Sequence, residues 1–200
     1  INIAISKPAT GIVQQAYVVY DGQKEEILKN VLQNPDYTSV IIFSGTKDNV
    51  KLLEKSLKKI EPSLKAFHSD LEQAEREEIM RDFKNRKLLI LIGTDILSRG
   101  IDVEGISLVV NYDAPPDPED YIHRIGRTAR ASKAGVAITF INQKDQGKFA
   151  RIEALMGYDV TKMPIPEALG AGPVYDPEAN KKFEKKSFGS GRSGSGKGKP

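Results

Sequence analysis

The sequence contains no cysteine and only two histidines, His68 and His123. The absence of cysteine excludes disulfide bonds, zinc sites built on thiolates and a thiol nucleophile within these 200 residues, and it is compatible with a reducing compartment. Two imidazoles are too few for a histidine-rich metal site. We therefore predict that this chain holds no metal ion through its own residues.

Long apolar runs are also absent. No run approaches the roughly 18 residues that a membrane-spanning helix needs, and no basic-then-apolar leader opens the chain. We therefore expect a cytoplasmic protein with no membrane partner. Because the chain starts at Ile1 and ends in a segment rich in Ser, Gly and Lys, we expect a piece of a longer protein, with one domain of about 150 residues followed by a tail.

Positive charge is concentrated at the C-terminal end. The formal net charge is +3, and residues 181–200 contain seven Lys or Arg and one Glu, which gives +6 there. Subtracting +6 from +3 leaves −3 for residues 1–180. A basic, glycine-rich extension on a mildly acidic body indicates that the tail contacts a polyanion; the alternative is a solubilising extension. From Gly170 onward the composition predicts disorder.

Six short apolar runs rich in β-branched residues predict strands at residues 13–19, 40–43, 64–67, 88–92, 108–110 and 136–141. Apolar positions at helical spacing lie between them, and Asp117 followed by Pro118 is typical of a helix start. This alternation predicts an α/β fold with an open, mostly parallel sheet and helices on both faces. In such sheets, ligands bind beyond the carboxyl ends of the strands.

A glycine-rich segment near the end, Gly191 to Lys197, has the spacing of a phosphate-binding loop (GRSGSGK). However, Gly198 follows where Ser or Thr would hold magnesium, and neither a strand before it nor a helix after it is predicted. We interpret the match as a coincidence of low complexity. The 200 residues therefore contain no phosphate-binding loop of this type.

The segment from Gly93 to Asp102 directly follows a predicted strand. Its small and hydroxyl-bearing residues would let backbone amides approach a phosphate, and Gly100 permits close contact. The two aspartates, Asp95 and Asp102, could accept hydrogen bonds from a ribose or an arginine. Taken alone, the segment could also be an ordinary turn in which Thr94 or Asp95 caps a helix.

The segment from His123 to Arg130 carries arginines at intervals of three. If it were helical, Arg124, Arg127 and Arg130 would lie within about 120° of one another. Like charges so close repel unless an anion lies among them, and arginine suits a phosphoryl group undergoing transfer. The alternative is a solvated basic helix face.

Together these segments resemble the DEAD-box RNA helicases. The order and spacing match from about Gln14 to Phe149. The basic tail resembles the bacterial RhlE-like subgroup. The His-Arg start of the last segment separates the family from related helicases that usually begin this motif with Gln. Four segments carry the resemblance: Phe43 to Lys47 (motif IV), His68 to Arg76 (the motif between IV and V), Thr94 to Asp102 (motif V) and His123 to Arg130 (motif VI).

The resemblance implies a RecA-like domain at residues 13–160. Residues 1–12 would be a linker from a missing N-terminal RecA-like domain, and residues 161–200 a largely disordered tail. It implies the C-terminal half of an RNA helicase that couples ATP hydrolysis to local RNA unwinding, with ATP and Mg²⁺ held mainly by the missing half. The implied partners are that half and RNA, single-stranded or as a short duplex, bound without sequence preference. This piece alone should be inactive.

The resemblance also implies roles for individual residues. Arg127 and Arg130 would be arginine fingers, and His123 would couple to an acidic motif of the other half. Asp102 would bind the ribose and Arg99 would bridge the halves. The implied contacts to the RNA backbone are Gln73, Arg76, Thr94 and Gly100.

Some of these residues also fit structural roles. Gln73 fits a capping box with Asp70, Thr46 fits a helix N-cap, and His68 fits a packing position. A rival interpretation of the whole chain is a non-catalytic RNA-binding module with a RecA-like scaffold, which would leave Arg127 and Arg130 without a required role. A second rival is half of a DNA helicase, against which the His-Arg start argues.

Overall fold

The computed structural model describes residues 11–97, 103, 105–128 and 135–178. Four predicted site residues lie outside the described residues: Arg99, Gly100, Asp102 and Arg130. Most of the predicted linker and the part of the tail from residue 179 also lie outside them.

The described residues form one sheet of seven strands: β1 (Ile12–Val18), β2 (Val40–Phe43), β3 (Leu64–Phe67), β4 (Ile90–Gly93), β5 (Leu108–Asn111), β6 (Gly135–Ile141) and β7 (Thr161–Lys162). Their order is β3, β4, β2, β5, β6, β1, β7, and every neighbouring pair is parallel. All residues of β2, β4 and β5 are buried, as continuous apolar strands of a covered sheet should be. The six predicted strands and the α/β class are thus confirmed.

Five helices whose bounds lie within the described residues cover the sheet: α1 (Asp21–Leu32), α2 (Lys47–Leu57), α3 (Gln73–Lys84), α4 (Pro118–Ile125) and α5 (Gln146–Met156). Helices α1 and α2 pack on one face, where Leu28 and Leu53 join a core with Ile42. The other three pack on the opposite face, where Phe83 of α3 packs near Ile41, and residues of α4 and α5 surround the centre of β1. Helices therefore lie on both faces.

Two helix starts follow from their capping residues. Asp117 accepts a hydrogen bond from the Glu119 amide at 2.9 Å, with Pro118 as the first residue of α4. Thr46 accepts from the Asn49 amide at 3.2 Å at the start of α2. Side-chain oxygens here satisfy amides that have no partner within the helix. Both capping predictions are confirmed.

The segment after residue 160 contacts the domain. Lys162 of β7 pairs with Ala16, and the Met163 amide donates to the Ala16 carbonyl at 2.7 Å. Further along, the Gln146 side chain donates to the Val174 carbonyl at 2.7 Å and accepts from the Asp176 amide at 2.8 Å. The described contacts therefore extend past residue 160, where the sequence predicted the domain to end, and past Gly170. Strand β7 was not predicted because two residues are too few to show a periodicity.

No helix in the described ranges is both long and apolar enough to cross a bilayer. Within the same ranges, no three His, Cys, Asp or Glu side chains are grouped as a metal ion would require.

Candidate functional site

Most of the described candidate residues lie just after the carboxyl ends of the strands, at the carboxyl edge of the sheet. Because all strands are parallel, the loops after neighbouring strands meet at that edge. The loops after β3, β4, β2 and β5 lie side by side in that order. His68 to Asp70 follow β3, and Thr94 and Asp95 follow β4. Ser44 to Thr46 follow β2, and Tyr112 and Asp113 follow β5. Three of the four predicted segments therefore contribute to one edge.

Arg124 does not join a surface cluster of arginines. Its side chain is 1% exposed and pairs with Asp95, which is 36% exposed. Nε donates to Asp95 Oδ1 at 2.8 Å, and Nη1 donates to Asn111 Oδ1 at 3.0 Å. The guanidinium also lies 4.9 Å from the centre of the Phe43 ring. The expectation that three arginines share one anion is therefore wrong for Arg124, which links α4 to the loop after β4.

His123 and Arg127 lie beside this anchor at the end of α4. The helix ends at Ile125 and a 3₁₀ turn follows (Gly126–Thr128). Two hydrogen bonds to the Ile106 backbone hold the turn: the Ile106 amide donates to the Arg127 carbonyl at 3.2 Å, and Thr128 Oγ1 donates to the Ile106 carbonyl at 2.7 Å. His123 is exposed and Arg127 is partly exposed. These two hydrogen bonds hold the backbone of the turn, while the Arg127 side chain is partly exposed with its Nε buried.

Gln73 and Arg76 lie in the first turn of α3. Gln73 Nε2 donates to Glu77 Oε1 at 2.9 Å, and Arg76 Nη2 donates to the Ser69 carbonyl at 2.7 Å. The bond from Arg76 fixes the loop after β3. Both side chains remain at least partly exposed at the carboxyl edge.

The predicted capping box between Asp70 and Gln73 is wrong. The cap of α3 is Glu72, whose amide donates to Glu75 Oε2 at 2.9 Å. Asp70 instead accepts from Lys51 at 2.7 Å and from Lys47 at 3.0 Å. These two ammonium groups hold the pKa of the Asp70 carboxyl well below its usual value. Asp70 therefore ties the loop after β3 to helix α2.

Thr94 directly follows Gly93, the last residue of β4, where there is no space for a side chain. A β-carbon at Gly93 would lie 2.8 Å from the Phe67 carbonyl oxygen and would overlap the Leu97 side chain. Phe67 pairs with Gly93, so His68 and Thr94 are the next residues on neighbouring strands. His68 is 8% exposed, which agrees with a packing position. Thr94 is partly exposed and its carbonyl accepts from the Leu97 amide at 2.9 Å.

Comparison with known proteins identifies the family. Residues 23–132 match the family described as helicase conserved C-terminal domain. The chain is 31% identical to the C-terminal domain of the DEAD-box protein Dbp5, with a TM-score of 0.69. The match covers 92% of this chain and 99% of the Dbp5 domain. This chain belongs to the DEAD-box helicase family.

Two further relatives are longer than this DEAD-box domain. The chain is 41% identical over 147 residues to the ATP-dependent RNA helicase eIF4A of Lodderomyces elongisporus, covering 74% of this chain and 37% of the relative. A structure of Saccharomyces cerevisiae Dbp5, described as bound to RNA and ADP BeF3, is 30% identical with a TM-score of 0.70, covering 92% of this chain and 46% of that one. The chain thus spans under half the length of these relatives.

The bacterial RhlE-like subgroup suggested by the tail receives no support. The curated relatives compared with this DEAD-box domain, named eIF4A, FAL1 and DBP8, come from fungi. The family is therefore established and the subgroup is not.

Sequence reasoning missed three residues of this DEAD-box domain: Lys24, Asn111 and Asp113. Lys24 is 2% exposed and lies 3.0 Å from Asp113 Oδ1. One signal was available, since Lys24, Ile27 and Leu28 share the spacing of one apolar helix stripe. A charge inside such a stripe predicts a buried partner, although the pattern does not say which one.

Proposed function

We propose that this chain is the C-terminal RecA-like half of an ATP-dependent RNA helicase, which couples ATP hydrolysis to local unwinding of RNA duplexes. The family match supports this function, and so do relatives that are named ATP-dependent RNA helicases. The observation that carries the proposal is the end of α4. There, beside the buried Arg124, His123 is exposed and Arg127 is partly exposed, so that an opposing domain could contact both.

The described side chains suit the phosphate end of a nucleotide. Arg127 offers a permanently charged, planar set of donors that matches a phosphoryl group. It would act together with Arg130, while His123 would contact the acidic motif of the other half and Arg99 would bridge the halves. Asp102 would bind the ribose. As the family resemblance implies, we assign Mg²⁺ and most of the ATP to the N-terminal half.

The RNA path would run along the loops after β3 and β4. Arg76 and Gln73 lie at the start of α3, and Thr94 follows β4; Gly100 would complete this surface. Contacts of this kind recognise phosphates and 2′-hydroxyls, so we expect little sequence preference. The Dbp5 structure with RNA supports RNA as the partner. The RhlE-like subgroup and a cytoplasmic location stay predictions from composition.

The test compares two proteins: the 200-residue chain and the longer protein that contains both RecA-like halves. We expect ATP hydrolysis stimulated by single-stranded RNA, and unwinding of a short RNA duplex, from the longer protein. The chain alone should show neither activity. RNA-stimulated hydrolysis by the chain alone would contradict the division of the site between two halves. A longer protein that binds RNA but never hydrolyses ATP would favour the non-catalytic RNA-binding module.

A further inference from the structure

Lys24 is a buried cation in helix α1. Its Nζ lies 3.0 Å from Asp113 Oδ1 and 3.0 Å from Asp21 Oδ1, and 5.3 Å from the centre of the Tyr112 ring. The Lys24 side chain is 2% exposed and that of Asp113 is 23% exposed. A buried charge is tolerated only when its partners are held in place. Lys24 therefore fixes where the Asp113 carboxylate lies.

The Asp113 carboxylate also organises the loop after β2. Oδ2 accepts from Ser44 Oγ at 2.9 Å and from the Gly45 amide at 2.8 Å. Burial by itself would raise the pKa of Asp113, but Lys24, the Gly45 amide and Ser44 together lower it. The carboxylate is thus charged at neutral pH and accepts from three donors on two elements. The loop that it holds leads directly into Thr46, the cap of α2.

The backbone of the same residue contacts helix α4. Arg124 Nη1 donates to the Asp113 carbonyl at 3.2 Å. Arg124 follows His123 and precedes the turn that carries Arg127. Asp113 therefore contacts α1 and the loop after β2 through its side chain, and α4 through its backbone.

We infer that Lys24 and Asp113 are positioning residues, which hold the loop after β2 and the start of the Arg127 turn in one fixed arrangement. This inference rests on the proposed function, since it concerns turnover through Arg127 and RNA binding along the loop after β4, which neighbours the loop after β2. The competing explanation is an ion pair that serves stability alone. Buried ion pairs are weak contributors to stability, because desolvation offsets much of their attraction. The positions of the loop after β2 and of the Arg127 turn can be tested separately from the stability of the domain.

The variants are Lys24→Met, Asp113→Asn and the double variant, made in the protein with both halves. Methionine keeps the unbranched chain, and asparagine keeps the shape of aspartate. The double variant leaves no unpaired charge between the two positions and serves as the second route if a single variant folds poorly. Lys29→Met is the matched control, because Lys29 lies in the same helix and pairs only with Glu25 and Glu26 among the described contacts.

We expect each single variant to lower kcat for RNA-stimulated hydrolysis by roughly tenfold or more, since a displacement of about 1 Å can cost a hundredfold. The KM for ATP should stay near its original value, and the RNA concentration at half-stimulation should rise. The double variant should be no worse than the more damaging single variant, because both changes disrupt one unit. Lys29→Met should leave all three quantities unchanged.

A second measurement does not depend on catalysis. Hydrogen exchange of the Gly45 amide in the 200-residue chain should be faster in Lys24→Met and in Asp113→Asn than in the original chain or in Lys29→Met. If the longer protein shows no RNA-stimulated hydrolysis at all, the proposed function fails, and Gly45 exchange still decides whether the pair holds the loop. Unchanged Gly45 exchange, or lowered thermal midpoints with normal kcat, would overturn the inference.

Discussion

The guanidinium of Arg124 and the carboxylate of Asp95 join helix α4 to the loop after β4. Nε of Arg124 lies 2.8 Å from Asp95 Oδ1. The Arg124 side chain is 1% exposed and that of Asp95 is 36% exposed, so the arginine is shielded from water and the carboxylate is partly hydrated. The contact places the turn that carries Arg127 beside the loop that carries Thr94. Two of the four family segments are therefore held together by a residue that itself remains inside the domain.

Replacing Arg124 should destabilise the chain. Arg124→Met removes the cation that pairs with Asp95, together with four hydrogen bonds: two to Asp95, one to Asn111 and one to the Asp113 carbonyl. Breaking a buried pair costs about 3–5 kcal/mol, and because Asp95 can rehydrate we expect about 2–4 kcal/mol in urea unfolding. Arg151→Met is the control, since Arg151 is exposed on α5, and surface substitutions usually stay within about 0.5 kcal/mol. Equal effects from the two variants would show that the Arg124 pair contributes nothing.

Two glycines should respond to alanine with opposite signs. A β-carbon at Gly135 would overlap both the backbone and the side chain of Thr128, whereas one at Gly147 meets nothing within 4 Å. Gly135→Ala should therefore cost about 1–3 kcal/mol through overpacking and displace the turn next to Arg127. Gly147→Ala lies in helix α5 and should stabilise by about 0.5–1 kcal/mol. Thermal and urea unfolding of both variants test this, and a stabilised Gly135→Ala would disprove the packing argument.

The sequence predicted those elements that depend on local signals. The buried strands, the Asp117 cap and the Thr46 cap all depend on a few consecutive residues. The arginine cluster failed because the helix ends at Ile125 and Arg124 turns inward, which depends on Asp95 being close. The pair of Lys24 and Asp113 joins residues 89 positions apart. No local pattern specifies such a pair, since it exists only after the strands have assembled.

The stability of the chain should depend on Asp113 in acid. Its folded pKa lies below the ordinary value of 3.8, so its contribution is present above that value and is lost as the pH falls through the folded pKa. Lys24 behaves oppositely: its pKa is raised above 10.5, so its contribution is lost only as the pH rises through the raised value. The difference in unfolding free energy between the original chain and Asp113→Asn should be largest near neutral pH and shrink below pH 3.8. A difference that is constant with pH would contradict the pairing.

Removing the basic tail should weaken RNA binding without regard to sequence. The described contacts reach Asp176, so the cut belongs after Glu178 and not at Gly170. Deleting residues 179–200 should reduce affinity for several unrelated RNAs alike and flatten the dependence of log K on log salt, because fewer counterions are released. A variant of full length with the seven basic residues replaced by Gln should match the truncation. If both variants keep the original affinity and salt slope, the tail is only a solubilising extension.

Arg127 is proposed to act on the nucleotide, and the kcat of Arg127→Ala in the protein with both halves tests this role. Arginine fingers contribute roughly 10³ to 10⁵ in rate in other nucleotide hydrolases. We expect a loss of that order, with little change in the KM for ATP or in the thermal midpoint. Lys at the same position should rescue poorly, because it cannot reproduce the planar pair of donors. Arg130→Ala should behave like Arg127→Ala, and Arg151→Ala should behave like the original protein. RNA-stimulated turnover near the original rate in Arg127→Ala would show that Arg127 is not an arginine finger.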